Sequence, residues 1–230
     1  MTAIGEAGLD DGQLMFAFAH DARSYLRTAL TRIQIVQSSS AGAALPEAER
    51  MSLEEAANAV GDMNRLLSAM VAYCEAPQVA EKAEHTSLPL LLRGVVTEMK
   101  PTLDAANAAF TMDLAYDGTV SSVLRTVFKE LISNACRFRS NERRGAIAIS
   151  ARREGDECTL TVSDNGLGVE QEWTERIFEP FQRMHSRSSF PGFGLGLATC
   201  NRIVDALGGT IRAQPREGGG LCVTVRIPLS

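Results

Sequence analysis

Apolar positions recur every three or four residues through the first third of the chain, and every second residue through much of the remainder. Phe16, Ala19, Leu26, Leu30 and Ile33 step along one face of a predicted helix, with Arg23 set into the stripe. Asp10, with Gln13 three residues on, offers the cap, and the helix runs to about Ser38. The stretch Ser38-Ser39-Ser40-Ala41-Gly42 breaks it. Pro46 then suits a first helical position, with Glu47 and Glu49 in the first turn. The second helix is more regular: Leu53, Ala56, Val60, Met63, Leu67, Met70 and Cys74 form an unbroken heptad series. Two helices joined by a short loop make a helical hairpin, whose seam alone stays partly wet. Pairing two hairpins in a dimeric four-helix bundle covers it, so a homodimer is expected. The alternative cover is the rest of the same chain.

Residues 77–88 are polar and predict a linker. Pro89 opens another helix, to about Leu103. Period-two runs then predict strands over 109–114, 146–151, 158–163, 210–213 and 221–227, with helices over 123–139 and 194–207. Hairpin turns at Gly155-Asp156 and Glu217-Gly218-Gly219-Gly220 point to an α+β sandwich, one sheet with helices on one face. The expected organisation is a helical domain over 1–76, a linker over 77–88 and an α+β domain over 89–230.

Composition narrows the function classes. The chain has 230 residues, 45% hydrophobic, 22% charged and 6% aromatic, which is a globular balance. Lys and Arg number 23 against 28 Asp and Glu, a net charge of −5, so nucleic acid is disfavoured as a main partner. No run approaches the roughly 18 apolar residues of a membrane span, and residues 1–12 carry neither Lys, Arg nor an apolar run, unlike a secretory signal. The five scattered cysteines form no C-x-x-C pair; they are expected to be reduced, buried and cytoplasmic.

Four segments of the second half carry chemistry. In the helical run Glu130-Leu131-Ile132-Ser133-Asn134-Ala135-Cys136-Arg137-Phe138, Glu130 and Asn134 share one face. A carboxylate there serves as base or orienter, an amide oxygen can hold Mg²⁺, and Arg137 lies within reach of a phosphate. Asp164-Asn165-Gly166-Leu167-Gly168-Val169 follows a strand; its Asp can accept from an exocyclic amine, and Gly166 and Gly168 permit close backbone approach. In Ile177-Phe178-Glu179-Pro180-Phe181-Gln182-Arg183, Phe178 and Phe181 are expected to pin one end of a mobile lid over 184–191. Gly192-Phe193-Gly194-Leu195-Gly196-Leu197 leads into a helix, where bare N–H groups and the helix dipole make an anion cradle. Neither a dinucleotide fingerprint nor a Walker loop fits that spacing.

In order and spacing these segments resemble the N, G1, F and G2 boxes of the Bergerat-type ATP-binding fold. The short connection from Phe181 to Gly192 and the closing Ile227-Pro228-Leu229 look most like sensor histidine kinases. The run Phe178-Glu179-Pro180-Phe181-Gln182-Arg183-Met184-His185-Ser186-Arg187 is similar to that of cytoplasmic phytochrome-type kinases. His20-Asp21-Ala22-Arg23-Ser24-Tyr25-Leu26-Arg27 resembles the phosphoacceptor box of their dimerisation and phosphotransfer domain, His20 falling just off the helical seam. The resemblance extends from about Asp11 to Leu229.

It implies ATP and Mg²⁺ as cofactors, autophosphorylation of His20 and transfer to an aspartate of a response-regulator receiver domain. Asp21 would orient the imidazole, Asn134 would coordinate Mg²⁺ and Glu130 would assist. Asp164, Gly166 and Gly168 would hold the base. Arg137, Arg183, Gly192, Gly194, Leu195 and Gly196 would surround the phosphates, with Phe178 and Phe181 bracing the lid. A sensor module is expected in cis on a longer chain or as a separate protein. Tyr25 stands where the family has Pro, Ser24 where it has Thr or Asn, and Phe193 where it has a small residue. An ATP-independent phosphotransferase or adaptor on the same fold is the alternative function.

Overall fold

The computed structural model describes residues 11–184, 190 and 192–229; the Asp10 cap and most of the expected lid lie outside them. The chain divides into two compact units, Met1–Glu75 and Ala76–Ser230.

The first unit contains α1 (Asp11–Ser38), a short α2 (Ser40–Ala43) and most of α3 (Glu47–Glu81). The break between α1 and α2 is made locally. The Gly42 N–H donates to the Ser39 hydroxyl at 3.0 Å, and a Cβ at residue 42 would lie 1.9 Å from the Val36 carbonyl oxygen. The hairpin core is small: Ala19, Leu67 and Val71, flanked by Phe16, Ala22, Leu26 and Met70. Along the heptad series Leu67 and Cys74 are buried, Leu53, Val60 and Met70 half-buried, and Ala56 and Met63 exposed. Phe18, Tyr25, Ile35, Val36 and Met51 are exposed as well.

The segment expected to be a linker is structured. α3 continues through Pro77 to Glu81, and His85–Ser87 forms β1. Ala76 and Ala80, four apart, are buried in the core of the second unit. These two small anchors extend the helix through a stretch whose polar residues dominate its composition, and Pro77 removes one helical donor without ending it.

The second unit continues with α4 (Leu88–Ala105), β2 (Ala109–Leu114), β3 (Thr119–Ser121), α5 (Leu124–Arg137), β4 (Ala146–Glu154) and β5 (Glu157–Asp164). It ends with α6 (Gly196–Ala206), β6 (Thr210–Pro215) and β7 (Leu221–Pro228). Five strands form one sheet in the order β2-β4-β5-β7-β6, with β2 parallel to β4 and every other pair antiparallel. The two short strands that periodicity missed, β1 and β3, pair with each other. Alternation along the strands sets a one-sided core. Ile147, Ile149 and Ala151, then Cys158, Leu160 and Val162, then Val223, Val225 and Ile227 are buried with residues of α4, α5 and α6. The expected sheet with helices on one face forms, with β5 at its centre, and the β1–β3 pair adds a second, two-stranded sheet that was not expected.

All five cysteines are free, and four are buried. Burial pushes the Cys158 thiol up to about 11, which keeps it protonated and unreactive at neutral pH. No described helix is long and apolar enough to cross a membrane.

Leu160 is 1% exposed in the central strand. Leu160→Ala should destabilise the fold by about 3 kcal/mol, because neighbours across a paired sheet cannot collapse into the hole. Urea unfolding of both proteins checks it through the midpoint shift.

Candidate functional site

One face of α5 is committed to the core: Leu124, Val127, Phe128, Leu131, Ile132, Ala135 and Cys136 are buried at helical spacing. The other face carries Glu130, Asn134 and Arg137, all half-buried. The Glu130 carboxylate lies against the start of α6, where a Cβ at residue 196 would sit 2.4 Å from its Oε2. Burial raises the Glu130 pKa, with Arg137 and Lys129 opposing the rise. The cap residue of α6, Leu195, supplies no side-chain acceptor. The Thr199 N–H donates to the Leu195 carbonyl at 2.8 Å, so the preceding amides of Gly196, Leu197 and Ala198 lie before the first intrahelical bond. The alternating glycines thus lead into a helix start with bare amides, the kind of group that can bind an anion.

The carboxyl end of α5 holds a second element. The Leu167 N–H donates to the Phe138 carbonyl at 2.9 Å, fastening the loop after β5 to the helix end. Within that loop Asp164 Oδ1 accepts from the Gly166 N–H at 2.8 Å and from the Leu221 N–H at 3.3 Å. Both bonds fall on one oxygen, which leaves Oδ2 for a ligand. Burial raises the Asp164 pKa; the two N–H donors and the nearby Arg216 and Arg143 act against it. The glycines of this loop answer first to the protein itself. A Cβ at residue 166 would meet the Phe138 carbonyl oxygen at 2.4 Å. Gly168 has φ +71°, and a Cβ there would lie 2.7 Å from the Gly220 carbonyl oxygen.

Two residues of this corner gave no sequence signal. Arg143, in the polar connection after α5, donates to the carbonyls of Asn165, Gly218 and Gly166 at 2.8, 2.6 and 3.2 Å. Arg216 donates to the Asp164 carbonyl at 2.6 Å. An arginine in a loop is ordinarily solvated, and neither periodicity nor spacing marks one that binds backbone.

The two phenylalanines expected to act as a pair separate. Phe178 is buried, whereas Phe181 is 54% exposed. Phe181 has φ +63°, and its N–H donates to the Gly194 carbonyl at 2.8 Å, joining this segment to the glycines. Arg183 directs its guanidinium at the carbonyls of Phe190 and Gly192. Arg137 lies beside Gly192, a Cβ there falling 3.0 Å from its Nη1. Phe193 is half-buried. In the first unit His20 is exposed, its Nδ1 3.3 Å from Asp21 Oδ1 and its ring stacked on Phe16 at a centroid distance of 6.2 Å.

Among the described residues no group of three or more His, Cys, Asp and Glu could hold a metal. Glu130 and Asn134 together offer too few oxygens for an all-protein cage. They fit Mg²⁺ held mainly by the phosphates of a ligand. The bare amides at the start of α6 are donors suited to those phosphates, with the Glu130 carboxylate packed beside residue 196 and the Phe181–Gln182 backbone beside Gly194.

Residues 119–230 match the family model described as histidine kinase-, DNA gyrase B-, and HSP90-like ATPase. Cyanobacterial phytochrome A of Nostoc is 32% identical over 175 residues, 76% of this chain and 23% of its own length. Sensor protein KdpD of Escherichia coli is 30% identical over 218 residues, 94% of this chain and 24% of its own. The chain thus spans about a quarter of the length of these relatives. Among solved structures, full-length ShkA in complex with AMPPNP aligns with a TM-score of 0.74 at 20% identity, covering 95% of this chain and 46% of that one. The catalytic domain of histidine kinase ThkA aligns at 0.56 with 26% identity, covering 64% of this chain and 95% of that domain.

The raised pKa of Asp164 has a consequence for stability. A carboxyl whose folded pKa lies above its unfolded value favours folding fully below the unfolded value, and that contribution is lost as pH rises through the folded one. Asp164→Asn should therefore raise the melting temperature at neutral pH, with the advantage over wild type shrinking toward pH ~4. Paired thermal melts at the two pH values check the sign, and a variant less stable at neutral pH would contradict it.

Proposed function

We propose that the chain, whose residues 119–230 match the histidine kinase-, DNA gyrase B-, and HSP90-like ATPase family, is a sensor histidine kinase transmitter that phosphorylates its own His20 from ATP and passes the phosphoryl group to an aspartate of a response-regulator receiver domain. The observation that carries this reading is that both ends of a nucleotide site are referred to α5. The Glu130 carboxylate stands against the start of α6, Asn134 lies one turn on along the same face, and the carboxyl end of the same helix holds the loop of Asp164.

Bound ATP with Mg²⁺ supplies the transferable γ-phosphoryl group. Asp164 Oδ2 accepts from the exocyclic amine of adenine, while Oδ1 stays fixed by Gly166 and Leu221. The amides from Gly194 to Ala198 bind phosphate oxygens, with the charge of Arg137 nearby. Asn134 would offer its amide oxygen to Mg²⁺, with the Glu130 carboxylate beside it, and the ion would supply positive charge to the phosphates. Asp21 holds Nδ1 of His20, which fixes the tautomer and leaves Nε2 as the nucleophile. Nε2 forms the bond to the γ-phosphorus as the bond from that phosphorus to the β–γ bridging oxygen breaks, the electron pair leaving with ADP. Asp21 then stabilises the imidazolium charge. The exposure of His20 suits both this attack and the later transfer to a carboxylate. The exposed apolar residues of the hairpin support a homodimer, in which a second copy covers Phe18, Met51 and Met63.

Incubation with γ-labelled ATP and Mg²⁺ tests the proposal. Wild type should gain an acid-labile, alkali-stable label. His20→Gln should gain none, and Asn134→Ala should lose on the order of 100-fold in rate. A label that survives in His20→Gln overturns the assignment. A folded wild type that binds no ATP would leave the adaptor reading standing.

A further inference from the structure

Three segments distant in sequence meet at Arg143. They are the connection between α5 and β4, the Asp164–Gly168 loop after β5, and the 216–220 turn between β6 and β7. The Nε of Arg143 donates to the Asn165 carbonyl, one terminal nitrogen to Gly218 and the other to Gly166, at 2.8, 2.6 and 3.2 Å. A planar guanidinium offers donors in a fixed fork, and here each nitrogen takes a different carbonyl. The same three segments are stitched further. Asn165 Oδ1 accepts from the Ala146 N–H at 2.7 Å, Asn165 Nδ2 donates to the Arg144 carbonyl at 3.0 Å, and Arg216 donates to the Asp164 carbonyl at 2.6 Å.

The position of the 216–220 turn matters because Leu221 follows it directly. The Leu221 N–H is one of the two donors that hold Asp164 Oδ1. The turn and the loop are in backbone contact at Gly168 and Gly220, where no Cβ fits. The separation of turn and loop therefore sets the direction in which the free carboxylate oxygen points; Arg143 bonds to both from a third segment, and Arg216 adds a bond from the turn itself to the Asp164 carbonyl.

We propose that Arg143 is a positioning residue for base recognition, bridging the Asp164–Gly168 loop to the 216–220 turn so that the Asp164 carboxylate is aimed at the exocyclic amine of a purine nucleotide. The proposal rests on the nucleotide-site reading above. It makes a prediction about the base alone. The Glu130 and Asn134 face belongs to α5 and the bare amides to α6, and Arg143 bonds to neither, so loosening the Arg143 bridge leaves the phosphate end intact.

The probes are ADP and inosine diphosphate, which carries an oxygen in place of the exocyclic amine, titrated with Mg²⁺ into the full chain. Arg143→Gln, which keeps one donor group but loses the fork and the charge, should weaken ADP binding about tenfold while leaving inosine diphosphate unchanged, a loss typical of charged hydrogen bonds. The preference for ADP then falls by the same factor. Arg143→Lys, which restores the charge without the fork, should fall between the two, and thermal melts should show both variants cooperatively folded. Unchanged ADP affinity in both variants, or an equal loss for the two nucleotides, overturns the proposal while leaving the nucleotide site intact. A wild type that binds neither nucleotide overturns the underlying reading and the proposal together. Asp164→Asn separates the two cases further, since it should abolish the ADP preference whatever Arg143 does.

Discussion

Burial of one stripe of α5 beneath the sheet is the constraint on which the second unit depends. Val127, Phe128, Leu131 and Ile132 are nearly inaccessible and pack against rows from β4, β5 and β7. A helix held that way cannot rotate, because a turn of even one position would expose Phe128 and bury Glu130. Each of those side chains is worth about 2 kcal/mol of apolar burial, so the orientation of the polar face is fixed by the core rather than by its own contacts. Glu130, Asn134 and the Phe138 carbonyl inherit their places from this packing.

Electrostatics works against stability at two carboxyls of the proposed site. Glu130 and Asp164 are both held in partly dry surroundings that disfavour their charge. Each is offset only in part, by Arg137 and Lys129 in one case and by backbone N–H groups with Arg216 and Arg143 in the other. A protein selected for rigidity alone would replace them with neutral groups. Their retention is consistent with sites that gain their full set of partners only when a ligand is present.

The regular elements were legible because their periods differ cleanly. α1, α3, α5 and α6, and the five strands of the main sheet, lie where alternation and helical spacing placed them, and the glycine pattern before α6 marked a helix start with bare amides. What escaped did so for different physical reasons. β1 and β3 are three residues each, too short for a period to register. The continuation of α3 past Pro77 rests on two alanines, which weigh little in any hydrophobic pattern but are fully packed in the fold. The pairing of Phe178 with Phe181 failed because the backbone turns at Phe181, so spacing no longer decided which way the ring faces. The arginines that bind the loop carbonyls were invisible because their partners are main-chain atoms, and the chain's lettering says nothing of where a carbonyl will point.

The backbone contact between Gly168 and Gly220 has an implication for how this protein can change over generations. Every substitution there adds at least a methyl group, and 2.7 Å from a carbonyl oxygen leaves no room for one. A larger side chain on the outward row of the sheet, at the exposed Ala148, meets no such barrier. Drift is therefore most restricted at positions that carry no side chain at all, and a comparison of variants weighted by chemical character alone would overlook the sites least free to move.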